Sequence, residues 1–479
     1  MKSNRLLLSI FLALGAGFPA LAQQADIPML SLEQCLGIAL SESPTVKIAD
    51  MEVARADYSK KETLGQLLPS ISFGASYNRT LAKQVMYMNM DGFGSMGGAG
   101  SSSGNEETEI ESRASSPRAG GNGGIKVGLD NSFSTGFSAS MPLIAPQLWQ
   151  SMKLSDSQIL RSIEQARSSR LELVNQVKSA YYTLLLAEDS RRVIIESYDM
   201  AKLNHEIYTK KHQAGAASDY DVLRTSVAMK NIEPEMMQSE IAIKQARLQL
   251  LILMGLDAGF NFTTAEGLAV YEDSMYDTAM SISRDYSLNP TLKLNEIDSQ
   301  IARRNVSIQQ AAWFPTLALS ANYNWTSMSN GSPLRNFRWT PYSGVGLTLS
   351  LPIFEGGQRY SRVKQAKIQA AELLMQRENL ERTIDSQVTL AIDNINVNIK
   401  QIASCAESVS EAERAHDIMQ KSFEIGAASY LDLRDSELSL TRARLARFQA
   451  IYNFLVAHSE LELLLGNAPI EKYTKSLNN

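Results

Sequence analysis

Asp432 and Asp435 stand three residues apart in a helical pattern, so both carboxylates lie on one helix face. Such a pair attracts cations and repels a like pair brought up against it. A solvated helix face with capping acids is the alternative reading of the same spacing. In an earlier, similar stretch Asp221 takes the place of Asp432, but Arg224 stands where Asp435 would be. Other chemistry is sparse. His205, His212, His416 and His458 fall in helical patterns without close His or Cys partners, so the spacing indicates neither a zinc site nor a cysteine dyad. Carboxylates otherwise sit at ordinary surface spacing, and no glycine-rich phosphate loop follows a strand. No catalytic residue, resident metal or cofactor is expected, and energy for any transport must come from a partner. Met86, Met88 and Met90 alternate, and thioethers can bind Cu(I). No Cys or His accompanies them, and the Gly- and Ser-rich stretch from Gly92 to Gly124 reads as an outward-facing loop with flexible filler.

The acids are positioned by a stretch written twice. Gly215-Ala216-Ala217-Ser218 precedes Asp221, and Gly426-Ala427-Ala428-Ser429 precedes Asp432. Each stretch closes a long helical pattern: no glycine or proline occurs from Gln147 to Ala214 or from Gln358 to Ile425. Runs of that length exceed the needs of a globular core. After Gly426, Leu431, Leu438, Leu445 and Tyr452 recur at every seventh place, with Phe448 and Leu455 adding a second row, which is coiled-coil spacing. The helices therefore fold back as hairpins that turn at the glycines. Pro234 interrupts the first return helix where the second copy has Leu445, and a kink or break is expected there.

The rest of the chain repeats as well. Pro44-Thr45 matches Pro290-Thr291, Leu68-Pro69 matches Phe314-Pro315, and Met254-Gly255 matches Leu465-Gly466. Each copy opens with a helical pattern, Ser31 to Leu67 broken near Ser43-Pro44 and Asp277 to Phe314 broken at Asn289-Pro290. Ser31 and Gln34 are spaced for a capping box. Next the period changes to two. Ile71, Phe73, Ala75 and Tyr77 alternate with serines, glycine and asparagine, and Leu317, Leu319, Ala321, Tyr323 and Trp325 do the same in the second copy. Return strands carry Phe133, Phe137 and Met141, and Val345, Leu347, Leu349 and Leu351. Four strands of about ten residues suit a tilted membrane crossing, yet four cannot close a barrel in lipid. Other copies of the chain must complete it.

Composition sets the compartment and excludes some partners. The 479 residues are 44% hydrophobic and 20% charged with a formal charge of -5, which gives no basic field for nucleic acid. Lys2 and Arg5, the apolar run Leu6 to Leu14 and the small-x-small Ala20-Leu21-Ala22 read as an export signal over residues 1–22, with no cysteine after it for a lipid anchor. After Ala22 no apolar run is long enough for a membrane helix. Cys35 and Cys405 are too few for a disulfide framework and are expected to be buried free thiols.

These features together resemble the TolC family of outer-membrane efflux proteins: an export signal, two tandem halves, strand pairs leading through Pro142-Leu143-Ile144 and Pro352-Ile353-Phe354 into glycine-free helices, and glycine-turned hairpins. The resemblance implies an α+β, mainly α fold. In it an outer-membrane β-barrel of four strands per chain, closed by trimerisation, continues as a long periplasmic α-helical coiled-coil barrel. The expected division is a first repeat over 23–254 (helices 31–67, strands 70–81 and 127–141, hairpin 147–254), a connecting segment 255–290, a second repeat 291–466 (helix 291–313, strands 316–327 and 342–351, hairpin 357–466), and a tail 467–479. The resemblance further implies a homotrimeric passive duct in outer-membrane lipid that works with a periplasmic adaptor protein and an inner-membrane pump. Gly215, Ala216, Ala217, Ser218 and Asp221, with Gly426, Ala427, Ala428 and Ser429, match the adaptor-docking tips. Asp432 and Asp435 match the channel gate, where three chains would bring six carboxylates to one level. The family's closed state can use an arginine where this chain has Ala428, leaving Arg434 or Arg224 as possible substitutes. A duct for protein secretion fits the same sequence features. A coiled-coil scaffold or adhesin without a pore would explain the helices but not strands with one oily face.

Overall fold

The computed structural model describes residues 28–86, 125–272, 284–330, 338–470 and 473. The export signal, Met88, Met90, the Gly/Ser-rich loop, the start of the second copy's helical pattern and the last residues of the tail lie outside them. In chain order the elements are β1 (Met29–Leu30), α1 (Leu32–Glu42), α2 (Pro44–Gly65), β2 (Ser70–Arg79), β3 (Gln84–Met86), β4 (Ile125–Val127), β5 (Asn131–Ile144), α3 (Pro146–Gln213), α4 (Asp219–Met254), β6 (Thr263–Thr264), a 3-10 turn (Leu268–Tyr271), α5 (Pro290–Ala311), β7 (Thr316–Ser329), β8 (Thr340–Ser350), α6 (Gln358–Glu424) and α7 (Tyr430–Leu465). The chain divides into two units. One holds Met1–Arg55, Leu160–Asp298 and Leu373–Asn479, the other Ala56–Ile159 and Ser299–Glu372.

The second unit carries the sheet, four antiparallel strands in the order β2-β5-β7-β8. Period-two alternation fixes its register. Phe73 lies opposite Phe137, which lies opposite Tyr323, while Ser72 lies opposite Ser138 and then Asn322. A slip of one residue would mix the two faces. The outer strands β2 and β8 each have one unpaired edge among the described residues. The first return strand, expected over 127–141, is two elements. Gly128, at φ +107, ends β4, which pairs with β3, and β5 begins at Asn131.

The first unit is helical, and its local signals work as the sequence suggests. Ser31 and Gln34 form the expected capping box, and the chain breaks between α1 and α2 at Ser43. In the second copy residues 284–289 are not helical, and α5 starts at Pro290 with Asn289 Oδ1 accepting from the Leu292 amide. The core joins Leu36, Val177, Tyr181, Leu184, Leu250, Met254, Phe262, Leu268, Ile384, Ile395, Ile451 and Phe454. Cys35 is fully buried there, where loss of solvation pushes its thiol up to about 12. Both cysteines are free, but Cys405 is only half-buried, at the margin of the core, because its side of α6 is partly open.

Two features of the return helices depend on packing. Of the kink or break expected at Pro234, the break is absent: α4 runs through it at the same 36-residue length as α7. Proline forfeits one backbone bond, and the helix on either side carries enough bonds and contacts to continue. The heptad period of α7 is present, but the fully buried row is Leu433, Leu440, Phe454 and Leu461, with Arg447 at the intervening place. Leu431 is exposed and Leu438, Leu445 and Tyr452 are half-buried. Two apolar rows exist because α7 packs on both sides. It meets α3 through Thr183–Tyr452 and Ser459–Asn175, and α6 through Arg444–Glu413. Contacts thus order the four long helices α4, α3, α7, α6, with Arg247–Glu188 joining the first pair.

Candidate functional site

Each hairpin turn is built from two standard helix-end devices joined by the small residues. At the first, Gly215 adopts φ +75, its amide donates to the His212 carbonyl at 2.8 Å, and the Ala216 amide donates to Lys211 at 2.7 Å. At the second, Gly426 adopts φ +77, with the Gly426 amide to Phe423 at 3.1 Å and the Ala427 amide to Ser422 at 2.8 Å. This pattern satisfies the last helical carbonyls, and its left-handed residue favours glycine. Ala216 and Ala427 are exposed, while Ala217 and Ala428 tuck in half-buried before the return helix.

Serine then starts that helix. The Ser218 hydroxyl accepts from the Asp221 amide at 3.2 Å and donates to Asp221 Oδ2 at 2.7 Å, while the Ser218 amide donates to the same oxygen at 3.2 Å. Ser429 and Asp432 repeat the three contacts at 3.3, 2.7 and 3.1 Å. The serine hydroxyl first, and the serine amide second, hold both carboxyls below the usual aspartate range. Asp432 is therefore engaged in a capping box, whereas Asp435 is exposed and has no ion-pair or hydrogen-bond partner among the described residues. The two proposed gate acids share a helix face but differ in freedom.

Where the second copy has Asp435, the first has Arg224, and its guanidinium lies 5.1 Å from the ring of Tyr430. Tyr430 is the first residue of α7 and is 7% exposed. It also meets Tyr208 edge-on at 5.3 Å, and Lys211 lies over both Tyr208 and Phe423. Farther along, Asn204 donates to Glu437 at 3.0 Å. Burial raises the Glu437 carboxyl, against smaller opposing effects of Asn204 and Arg434. These contacts join the hairpins within one chain, and spacing alone did not announce them. Nor did it pair the histidines: His205 Nδ1 lies 3.1 Å from Thr225 Oγ1 and His416 Nδ1 lies 3.4 Å from Ser436 Oγ. Each contact staples the two helices of one hairpin. The signal was present, since both members recur at the same interval as the tip glycines.

The sheet unit supplies two distinct surfaces. One face shows Ile71, Phe73, Leu319, Val345, Leu347 and Leu349, and its loop end carries Tyr77, Phe133, Tyr323 and Trp325. At the opposite strand ends Trp313, Phe314 and Phe354 are exposed, with Arg359 over Trp313 at 5.1 Å. Apolar rows flanked by aromatics are what a lipid-facing sheet requires. No helix among the described residues is long and apolar enough to cross a membrane. Among those residues no group of His, Cys, Asp and Glu is arranged to hold a metal ion.

Paired membrane strands and glycine-turned coiled-coil hairpins, both in duplicate, have the build of an outer-membrane channel component. The family profile described as outer membrane efflux protein matches residues 35–256 and 282–467, and the chain belongs to that family. The two matched segments follow the internal duplication. The chain is 29% identical over 199 residues to the outer membrane protein TolC of Escherichia coli strain K12, spanning 40% of each. It is 23% identical over 338 residues to the alkaline protease secretion protein AprF of Pseudomonas aeruginosa, spanning 70% of each. Its fold is similar to the CmeC outer membrane channel of Campylobacter jejuni, with a TM-score of 0.67 at 18% identity, over 93% of this chain and 88% of that one. Family membership places the chain in the outer membrane, extending into the periplasm.

Proposed function

We propose that three copies of this chain form a passive duct that carries small molecules across the periplasm and outer membrane, fed by an inner-membrane pump through a periplasmic adaptor. The observation that carries the reading is the sheet, with one apolar face, one polar face and two edges unpaired among the described residues. Lipid does not tolerate open edges, so further copies must pair with β2 and β8. The helical unit supports the same assembly. Its outer helix α4 exposes Tyr220, Val227, Pro234, Ile241 and Leu248 at intervals of seven, and the other outer helix, α6, exposes Ile368 and Met375, then Leu390 and Val397. Such stripes suit helix packing against a neighbouring copy.

In this reading the small, exposed turn residues admit an adaptor hairpin close to the backbone at the tips. Asp435 is the freer gate carboxylate, and Asp432 shapes the turn that presents it. Arg224 on Tyr430 takes the closing role for which Ala428 is unsuited. A protein-secretion duct is a second reading, favoured by the match to AprF over 70% of both chains.

Planar-bilayer recording of the purified protein tests the duct. Expected are small, cation-preferring channels that enlarge several-fold in an Asp432→Ala, Asp435→Ala double variant, with Asp435→Ala alone giving most of the change. Absence of any channel even in the double variant would overturn the proposal.

A further inference from the structure

The polar face of the sheet has a property that its role as a wall does not require. Charged residues make up 20% of the chain, yet none of the described strand residues on this face is charged. Its rows read Ser70, Ser140, Ser320, Gly346; then Ser72, Ser138, Asn322, Gly344; then Gly74, Gly136, Asn324, Tyr342; then Ser76, Ser134, Thr326, Thr340. Charges gather beyond it instead, with Lys83 paired to Asp130 at 2.9 Å at the loop end and Arg79 on the apolar face.

The polar groups are also spent along the wall. Ser70 and Ser140 hydroxyls lie 2.8 Å apart, as do those of Ser72 and Ser138, and Asn324 donates to the Tyr342 hydroxyl at 3.1 Å. The asparagines lie flat where glycine leaves room. A Cβ added at Gly136 would meet Asn324 Oδ1 at 2.1 Å, and one at Gly344 would meet Asn322 Oδ1 at 3.1 Å. The result is a shallow surface of hydroxyls and amides that offers hydrogen bonds but no fixed charge. In a pore, selection by charge comes from rings of fixed charge or oriented dipoles held at a constriction.

We infer that the membrane-spanning wall of this duct is blind to the sign of its cargo, passing hydrated anionic, cationic and uncharged hydrophilic solutes alike. This rests on the duct reading, in which the polar face lines the bore. The local potential is read directly by cysteine placed on the wall. Ser138→Cys and Asn322→Cys proteins in lipid bilayers are treated with anionic and cationic methanethiosulfonates, with unsubstituted protein as the blank for Cys35 and Cys405. Relative to a small free thiol in the same buffer, the two reagents should react at rates within about threefold of each other. A larger preference for either sign at both positions overturns the inference while leaving the duct intact. If Ser138→Cys stays unmodified and Phe137→Cys reacts, the bore lies on the other face and the duct reading itself falls.

Discussion

The two hairpins of this chain are alike in what a turn needs and unlike in what lies between them. Both end the first helix on a left-handed glycine, both restart on a serine with an aspartate three places later, and both staple their helices through a histidine and a hydroxyl. Each of these satisfies a requirement internal to one hairpin, so duplication preserves it without regard to neighbours. Several of the differences lie at the contact between hairpins. Tyr430 replaces Asp219, Asp435 replaces Arg224, and Glu437 replaces Ser226. A duplicated pair that must pack on itself cannot remain identical, because one member has to present the knob and the other the hole.

Removing the knob is the most damaging way to test that division. Tyr430→Ala should lower the local stability of the first two turns of α7 by about 3 kcal/mol, the scale for truncating a buried aromatic. The equivalent Asp219→Ala in the exposed first copy should change its helix by no more than about 0.5 kcal/mol. Hydrogen exchange of the backbone amides over 430–437 and 219–226 reads both. Equal losses in the two copies would show that the hairpins do not depend on this contact.

The shared part of the comparison predicts equality. Gly215→Ala and Gly426→Ala should each weaken their turn by about 1 kcal/mol, since a Cβ is disfavoured at positive φ and neither site has a neighbouring atom within 4 Å to add a clash. Faster exchange of the Ala216 and Ala427 amides, by similar factors, is the expected result. A large difference between the two would mean that one turn is held by something beyond its own geometry.

The sequence exposes the repeated part far better than the unrepeated part. Capping at Ser31, the break before Pro44, strand alternation and both glycine turns depend on a few adjacent residues, so spacing is enough to find them. Packing between helices depends on which apolar row faces which neighbour. The period of α7 is plain, but Leu431 and Leu433 both begin heptad rows, and only the neighbours make the second the buried one. Pro234 does not end α4 for a related reason: propensity weighs a single residue, while the helix is held along its whole length. The capping of Asp432 was legible as spacing but was outweighed by its pairing with Asp435. Tyr430 gave no local signal, and a comparison of the two copies position by position was the route to it.

The smallest expected effect separates the two kinds of acid by sign. Asp221 and Asp432 are depressed by their serines, so their caps contribute stability above the ordinary aspartate value of 3.8 and lose it as the pH falls through the lower folded value. Glu437 is raised by burial above its ordinary 4.5, so its ionised form works against the fold. That cost is present at neutral pH and is relieved as the pH falls through the raised value. Mild acid should therefore tighten the packing of α7 around the buried Glu437, although Asn204 exchanges an ionised acceptor for a neutral one, before stronger acid frays the two turns. Glu437→Gln should abolish the first phase and leave the second, as measured by amide exchange over 430–437 against that at the turns from pH 7 to pH 3. If Glu437→Gln leaves the first phase in place, the group that responds to mild acid is not at the contact that distinguishes the hairpins.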